Sequence, residues 1–309
     1  MDVKSLVPLI VQWSMILIVF SAGLQAKWRD LVMVLERPAL LLKSIIAVNI
    51  VTPAVALAAI LILPIDPNVK IGIMAMAVSP LAPFAPGKML KAGAGSVYAV
   101  GLYAILIALA VLVVPLTMAL LAAFIPRAIQ VPVADVAALV LQSILLPLAA
   151  GLVISALARR FALRLASICA LVGNIALLPV FAGLLYMAGG QMLALLGDGS
   201  LAAILAAVLA GLAAGHWLGG PRLEHRNALA IAAALRHPGI AGLIVHRTFA
   251  DPRAMLAVIL FLLVGFGAST IYLAAMRRRR EASEKTAGAS PAGPERQGQT
   301  SPKGGVFTD

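Results

Sequence analysis

Eight stretches of the chain, each long enough to cross a bilayer, carry no Asp, Glu, Lys or Arg: 5–26, 44–65, 71–87, 92–126, 136–158, 165–197, 199–221 and 254–276. A ninth, 227–246, is interrupted by Arg236 alone. About 17–25 apolar residues span the hydrocarbon of a membrane as a helix. All twelve Asp and Glu residues fall outside these windows. Only 12% of residues are charged and 62% are hydrophobic, about half the usual charge of a soluble domain. Such a chain cannot cover a water-facing surface, which excludes an ordinary soluble enzyme and a disordered body. The expectation is an all-α integral membrane protein with nine transmembrane helices, over 5–26, 39–65, 71–91, 96–125, 136–158, 165–188, 199–219, 227–246 and 254–276. The two longest windows would end in loops at Ile125-Pro126-Arg127 and Gly189-Gly190. A basic anchor and a disordered cytoplasmic tail would follow over 277–309.

The formal net charge of +12 would point a soluble protein toward nucleic acid. Here the positions of the charges give it another meaning. With the N-terminus outside, the inside loops hold Lys27, Arg29, Arg37, Lys43, Lys88, Lys91, Arg159, Arg160, Arg164, Arg222, Arg226 and the run Arg277 to Arg280. The outside loops hold only Lys4, Lys70, Arg127, Arg247 and Arg253. The excess of cations on one side sets that side as cytoplasmic. The charge is a topology signal, so no nucleic-acid partner is expected. A multi-pass protein of the cell inner membrane follows, with an external N-terminus and a cytoplasmic C-terminus. A lone cysteine, Cys169, excludes an internal disulfide framework.

Two of the nine spans cannot be regular helices. The third carries Ser79-Pro80, Pro83 and Pro86. Each proline removes an N–H and clashes with the turn before it. The eighth breaks at Arg236-His237-Pro238-Gly239. The segments align without a gap, Ile73 on Ile231 and Ser79-Pro80 on His237-Pro238. Spans 1 to 4 then pair with spans 6 to 9. An odd offset of five makes paired helices run in opposite directions, which is an inverted repeat. Interrupted spans at matching places in two inverted halves mark the binding site of a secondary transporter.

Arg236 is the strongest single signal. A cation at mid-membrane costs roughly 2.5–3.5 kcal/mol on insertion scales, and no intramembrane carboxylate exists to pair with it. It either caps carbonyls freed at the break or clamps an anionic substrate. His237 beside it is a candidate for proton coupling or a hydrogen-bonding group at the break. Asn49 and Thr52 share a helix face ahead of Pro53, and Ser79 and Ser96 flank the break and end of span 3. Asn49 and Ser79 join Arg236 and His237 as substrate-binding candidates, while Asn49, Thr52 and Ser96 join His237 as ion-coupling ones. Gln12, Gln142, Ser143 and Asn174 serve interhelical hydrogen bonding at least as readily. His216 beside Trp217 reads as an interfacial anchor. There is no phosphate-binding loop, catalytic triad or metal-ligand cluster, so no enzyme activity and no cofactor are expected.

The run Arg226-Asn227-Ala228-Leu229-Ala230-Ile231-Ala232-Ala233-Ala234-Leu235-Arg236-His237-Pro238-Gly239-Ile240-Ala241 resembles the ninth-helix segment of the bile acid:sodium symporter family. Ala77-Val78-Ser79-Pro80-Leu81-Ala82-Pro83 resembles that family's other crossover helix, and Ser21-Ala22-Gly23-Leu24 followed by a basic loop fits the same order. The resemblance implies a ten-helix inverted-repeat fold with a panel and a core of two crossing broken helices. This chain would lack the first helix. It also implies small organic anions as substrates, bile acids or small carboxylates, often coupled to sodium. The sodium-coupled members carry a glutamate where this chain has Ala232, and their glutamine and asparagine fall near Arg236 and His237. Asn49 and Ser96 fit other polar positions of the family. A site without its carboxylate, beside a guanidinium, opposes a cation, so sodium coupling in the family manner is not expected. The expected function is secondary transport of an organic anion. A proton-linked weak-acid exporter and a non-transporting anion sensor or scaffold are the alternatives.

Overall fold

The computed structural model describes residues 3–122, 133–195, 197–248 and 252–288. Among these residues every regular element is helical, and the sole β-type contact is one isolated antiparallel bridge. In chain order the helices are α1 Val3–Gln25, α2 Trp28–Leu35, α3 Pro38–Ile45, α4 Thr52–Ile62, α5 Pro67–Val78, α6 Ala85–Lys91 and α7 Ser96–Ala122. Then follow α8 Val133–Val140, α9 Leu146–Leu157, α10 Arg159–Ala194, α11 Ser200–Leu218, α12 Leu223–Ala234, α13 Pro238–Thr248 and α14 Pro252–Gly288. Two short π-helical segments, Ile46–Val51 and Leu141–Leu145, join α3 to α4 and α8 to α9. Each lies just ahead of a proline, Pro53 or Pro147. Proline withholds the N–H that the preceding turn needs, and a π turn is one way to absorb the shift.

Five helices among the described residues are long and apolar enough to cross a membrane alone: Pro38–Ile62, Val97–Ala119, Arg159–Pro179, Ser200–Leu218 and Pro252–Arg279. The pair Leu9–Gln25 and Trp28–Leu35, bent by 81°, makes a sixth if taken together. Pro67–Val78 and Leu141–Leu157 are shorter apolar helices. The residues of the expected third and eighth spans fall on the pairs α5–α6 and α12–α13, each broken in the middle.

Three boundaries differ from the sequence expectation. The basic loop after the first span contains α2, whose Asp30 reaches back to accept from the Lys27 backbone N–H at 3.1 Å. Gly189-Gly190 does not end α10, which continues to Ala194. In an apolar setting a broken helix would strand its carbonyls, and that costs more than the ~1 kcal/mol helix penalty of each glycine. Likewise α14 continues through Arg277 to Arg280 as far as Gly288, because no proline or glycine interrupts this stretch of good helix formers. The expected loop at 125–127 and the tail from 289 lie outside the described residues.

The helices pack in two groups. In one, α1 lies against α9 and α10, and glycines let the backbones touch. A Cβ on Gly151 would stand 2.5 Å from the Phe20 carbonyl oxygen and 2.7 Å from the Leu24 nitrogen. Arg159 closes this group by donating to the carbonyls of Leu24, Gln25 and Ala26 at the end of α1, and Ser155 Oγ adds a 2.7 Å bond to Ala26. In the other group α5 packs on α14 and α13, and α12 on α11. Asp66 starts α5 by accepting from the Asn68 N–H, and it pairs with Arg253 at 2.8 Å. Burial alone would raise the Asp66 carboxyl, but the Asn68 N–H and Arg253 outweigh it and hold its pKa below the usual value.

The glycine contact between α1 and α9 can be tested directly. Gly151→Leu is expected to lower stability by about 1–3 kcal/mol or more. Gly183→Ala, inside α10 and with a Cβ that meets nothing within 4 Å, should leave the thermal midpoint at or slightly above the parent's. A Gly151→Leu protein as stable as the parent would contradict the packing.

Candidate functional site

The two broken spans meet at their breaks. Leu81 and Arg236 form the antiparallel bridge. The Ala82 N–H donates to Leu235 O at 3.2 Å, and the His237 N–H donates to Pro80 O at 2.9 Å. The unwound residues of each span therefore satisfy those of the other, as a dry interior requires. The surrounding residues complete the accounting. Ser79 Oγ donates to Ala75 O at 2.7 Å, and the Ser79 N–H reaches Met76 O at 3.2 Å. Thr52 Oγ1 donates to Ala233 O at 3.4 Å. Gly265 of α14 lies so close to Ala234 O that a Cβ there would come within 2.8 Å.

Arg236 sits at the centre with 1% of its surface exposed. Its guanidinium donates to Ser79 O at 3.3 Å and to Val48 O. Both carbonyls are available because a proline has withdrawn their usual donor. In a continuing α-helix Ser79 O would accept from residue 83, which is Pro83. In the π turn Val48 O would accept from residue 53, which is Pro53. One side chain from α12's end thus serves two orphaned carbonyls on two other spans. Arg236 Nε has no partner.

His237, also 1% exposed, starts α13. Its Nδ1 accepts from the Ile240 N–H at 3.2 Å, the position of an N-cap, and its Nε2 has no partner. Pro238 occupies the first helical position, where its missing N–H costs nothing. A Cβ on Gly239 would lie 3.2 Å from the His237 ring. Pro80 contributes its carbonyl to the bridge, and Pro83 is buried beside it. The structure therefore gathers Arg236, His237, Ser79, Thr52 and the four helix-breaking residues at one crossing. Asn49 lies in the π turn, half-buried, next to Val48. Ser96 begins α7, and its side chain lies outside the described ones.

A separate cleft of about 340 Å³ opens between the two helix groups. Ser21 and Gln25 of α1 and Asn174 of α10 line one wall; Pro83, Lys88, Lys91 and Phe266 line the other. Neither Arg236 nor His237 lines it. Lys88 is anchored by bonds to Phe266 O, Ser269 Oγ and Thr270 Oγ1 at 2.8–3.0 Å, and its Nζ lies 3.4 Å over the Phe266 ring. In the sequence Lys88 is a topology charge, and its place two residues past Pro86 is the signal that marks it further. His216 also has a partner the sequence did not reveal: its Nδ1 is 2.6 Å from Tyr272 Oη, which donates to Asn227 Oδ1 at 2.9 Å.

A model of the Sodium Bile acid symporter family matches residues 13–196. The chain belongs to this family. The match takes in α1 to α10 with the first broken span, and stops short of α12, α13 and Arg236. No curated protein matches the chain. Members of the family are membrane transporters of bile acid-like solutes, and the several apolar helices among the described residues mark this chain as a multi-pass membrane protein.

The capping role of His237 makes a specific prediction for this symporter-family protein. His237→Ala should cost about 0.5–2 kcal/mol, the range for a lost N-cap. His237→Asn, which keeps an acceptor, should recover more than half of that loss. If Asn is as damaging as Ala in thermal melts, the cap is not what His237 supplies.

Proposed function

We propose that the protein is a secondary transporter of an organic anion, a bile acid-like solute or a small carboxylate, working by alternating access. The observation that carries this reading is the cleft between the two helix groups. Its volume of about 340 Å³ lies in the range of small-molecule sites. Its cations are Lys88 and Lys91, and its lining adds neutral donors at Ser21, Gln25 and Asn174. Lys88 and Lys91 sit on the half-span that follows the first break, so motion of the crossing would move them. Arg236 and His237 are assigned to holding the crossing together rather than to touching substrate.

Nine spans result if α5–α6 and α12–α13 each count as one broken span. The antiparallel bridge between the breaks supports relating spans 1 to 4 to spans 6 to 9 as an inverted repeat. The orientation rests on which cations cluster. Arg277 donates to Lys91 O, Arg159 to Gln25 O, and Arg37 and Arg222 line one small pocket. Asp66, Arg253 and Gly199 gather near Ile65 at the opposite end. The first group is assigned to the cytoplasmic side of the inner membrane, and the cleft opens toward it. One helix group rocking against the other would carry the site across.

Counterflow tests the reading. Proteoliposomes preloaded with unlabelled small carboxylates or sterol acids should accumulate the same labelled anion. Lys91→Gln should weaken its apparent affinity by about tenfold or more, the loss of one charged hydrogen bond. Binding of an anion with no flux would favour a sensor. Neither binding nor flux across the panel would overturn the assignment.

A further inference from the structure

We infer that the Arg236 guanidinium is a tethered cation that permanently fills the ion position at the crossing of the two broken helices. The family's description names sodium, and a hard cation needs several oxygen ligands, preferably with a carboxylate among them. Among the oxygens at this crossing are the carbonyls of Val48 and Ser79 and the hydroxyls of Thr52 and Ser79. The guanidinium already uses both carbonyls. The hydroxyls are turned to Ala233 O and Ala75 O. Among the described residues the buried Asp, Glu, Lys, Arg and His side chains are Asp30, His225, Arg236 and His237. Asp30 is committed to the start of α2. The set does not fit sodium: it contains a fixed positive charge and no carboxylate to offset it.

A cap alone does not require that charge. An amide would satisfy a carbonyl without the cost of a buried cation. Arg236 instead brings a full charge to a place where its Nε finds no acceptor. Its partners are carbonyl oxygens that Pro53 and Pro83 leave without amide donors. Freed carbonyls converging on one cation, from two different spans, are what an ion site between crossing helices would provide. Here the cation is covalently held. It cannot leave during a transport cycle, so it locks the crossing without coupling it to an ion gradient.

The test uses the purified full-length protein and needs no transport, so a chain that moved no anion would fail the functional reading and leave this one standing. The wild-type thermal midpoint is expected to agree, within roughly a degree, in sodium, potassium and choline chloride, because no cation binds the native state preferentially. Arg236→Ala should melt roughly 5 °C lower or more. Millimolar methylguanidinium should restore at least half of that loss, and it should restore none in the equally destabilised Gly151→Leu protein. If Arg236→Ala does not fold, Arg236→Lys carries the test, since it keeps a cation in place and stays insensitive to sodium. Stabilisation of wild type or Arg236→Lys by sodium above choline would overturn the inference. So would an Arg236→Ala protein that methylguanidinium leaves unchanged.

Discussion

The contact of the Arg236 guanidinium with the carbonyls of Val48 and Ser79 is what the rest of this structure depends on. Pro53 in one span and Pro83 in another each withdraw the amide that would have served one of these oxygens. In water the loss would be made good by solvent. Inside a membrane protein each unsatisfied group costs several kcal/mol. A single long donor from a third segment resolves both. It thereby ties the π turn between α3 and α4 to the end of α5 and the end of α12.

The same solution recurs at the end of α1, where Arg159 serves the carbonyls of Leu24, Gln25 and Ala26. The two arginines differ in setting. Arg159 is part-buried at an end of the bundle, beside a basic cluster, and holds one helix group together. Arg236 is 1% exposed and lies where two unwound segments cross. The unwound backbone itself is satisfied by mutual pairing, Ala82 with Leu235 and His237 with Pro80. Irregular backbone at membrane depth persists only when every group is accounted for in this way. These bonds tie the two unwound segments to each other, and neither Arg236 nor His237 lines the cleft between the helix groups.

Much of this was legible in the chain. Charge-free windows gave the helical membrane class, and Pro80, Pro83, Pro238 and Gly239 marked both breaks. Arg236 stood out because nothing acidic in the sequence could pair with it. What the sequence left open was whether Arg236 faced a substrate or a carbonyl. That depends on where Val48 lies, and Val48 is an ordinary apolar residue whose only distinction is a proline five positions later. Lys88 was hidden for a similar reason: its contacts with Phe266, Ser269 and Thr270 lie 178–182 residues away in the chain. Two helix ends differ from the sequence expectation: α14 runs on through a stretch of good helix formers, whereas at Gly189-Gly190 local propensity is set against the need to keep backbone groups paired. The structure favoured pairing.

The fixed cation inferred at the crossing would separate this chain from the ion coupling that its family's description names. The most direct measurement is the initial rate of uptake of an exchanged carboxylate into proteoliposomes, with the membrane potential clamped, under an inward sodium gradient and under an equal choline gradient. The account predicts the same rate in both. Several-fold stimulation by sodium would contradict it, because a free ion would then have to share a site already held by Arg236.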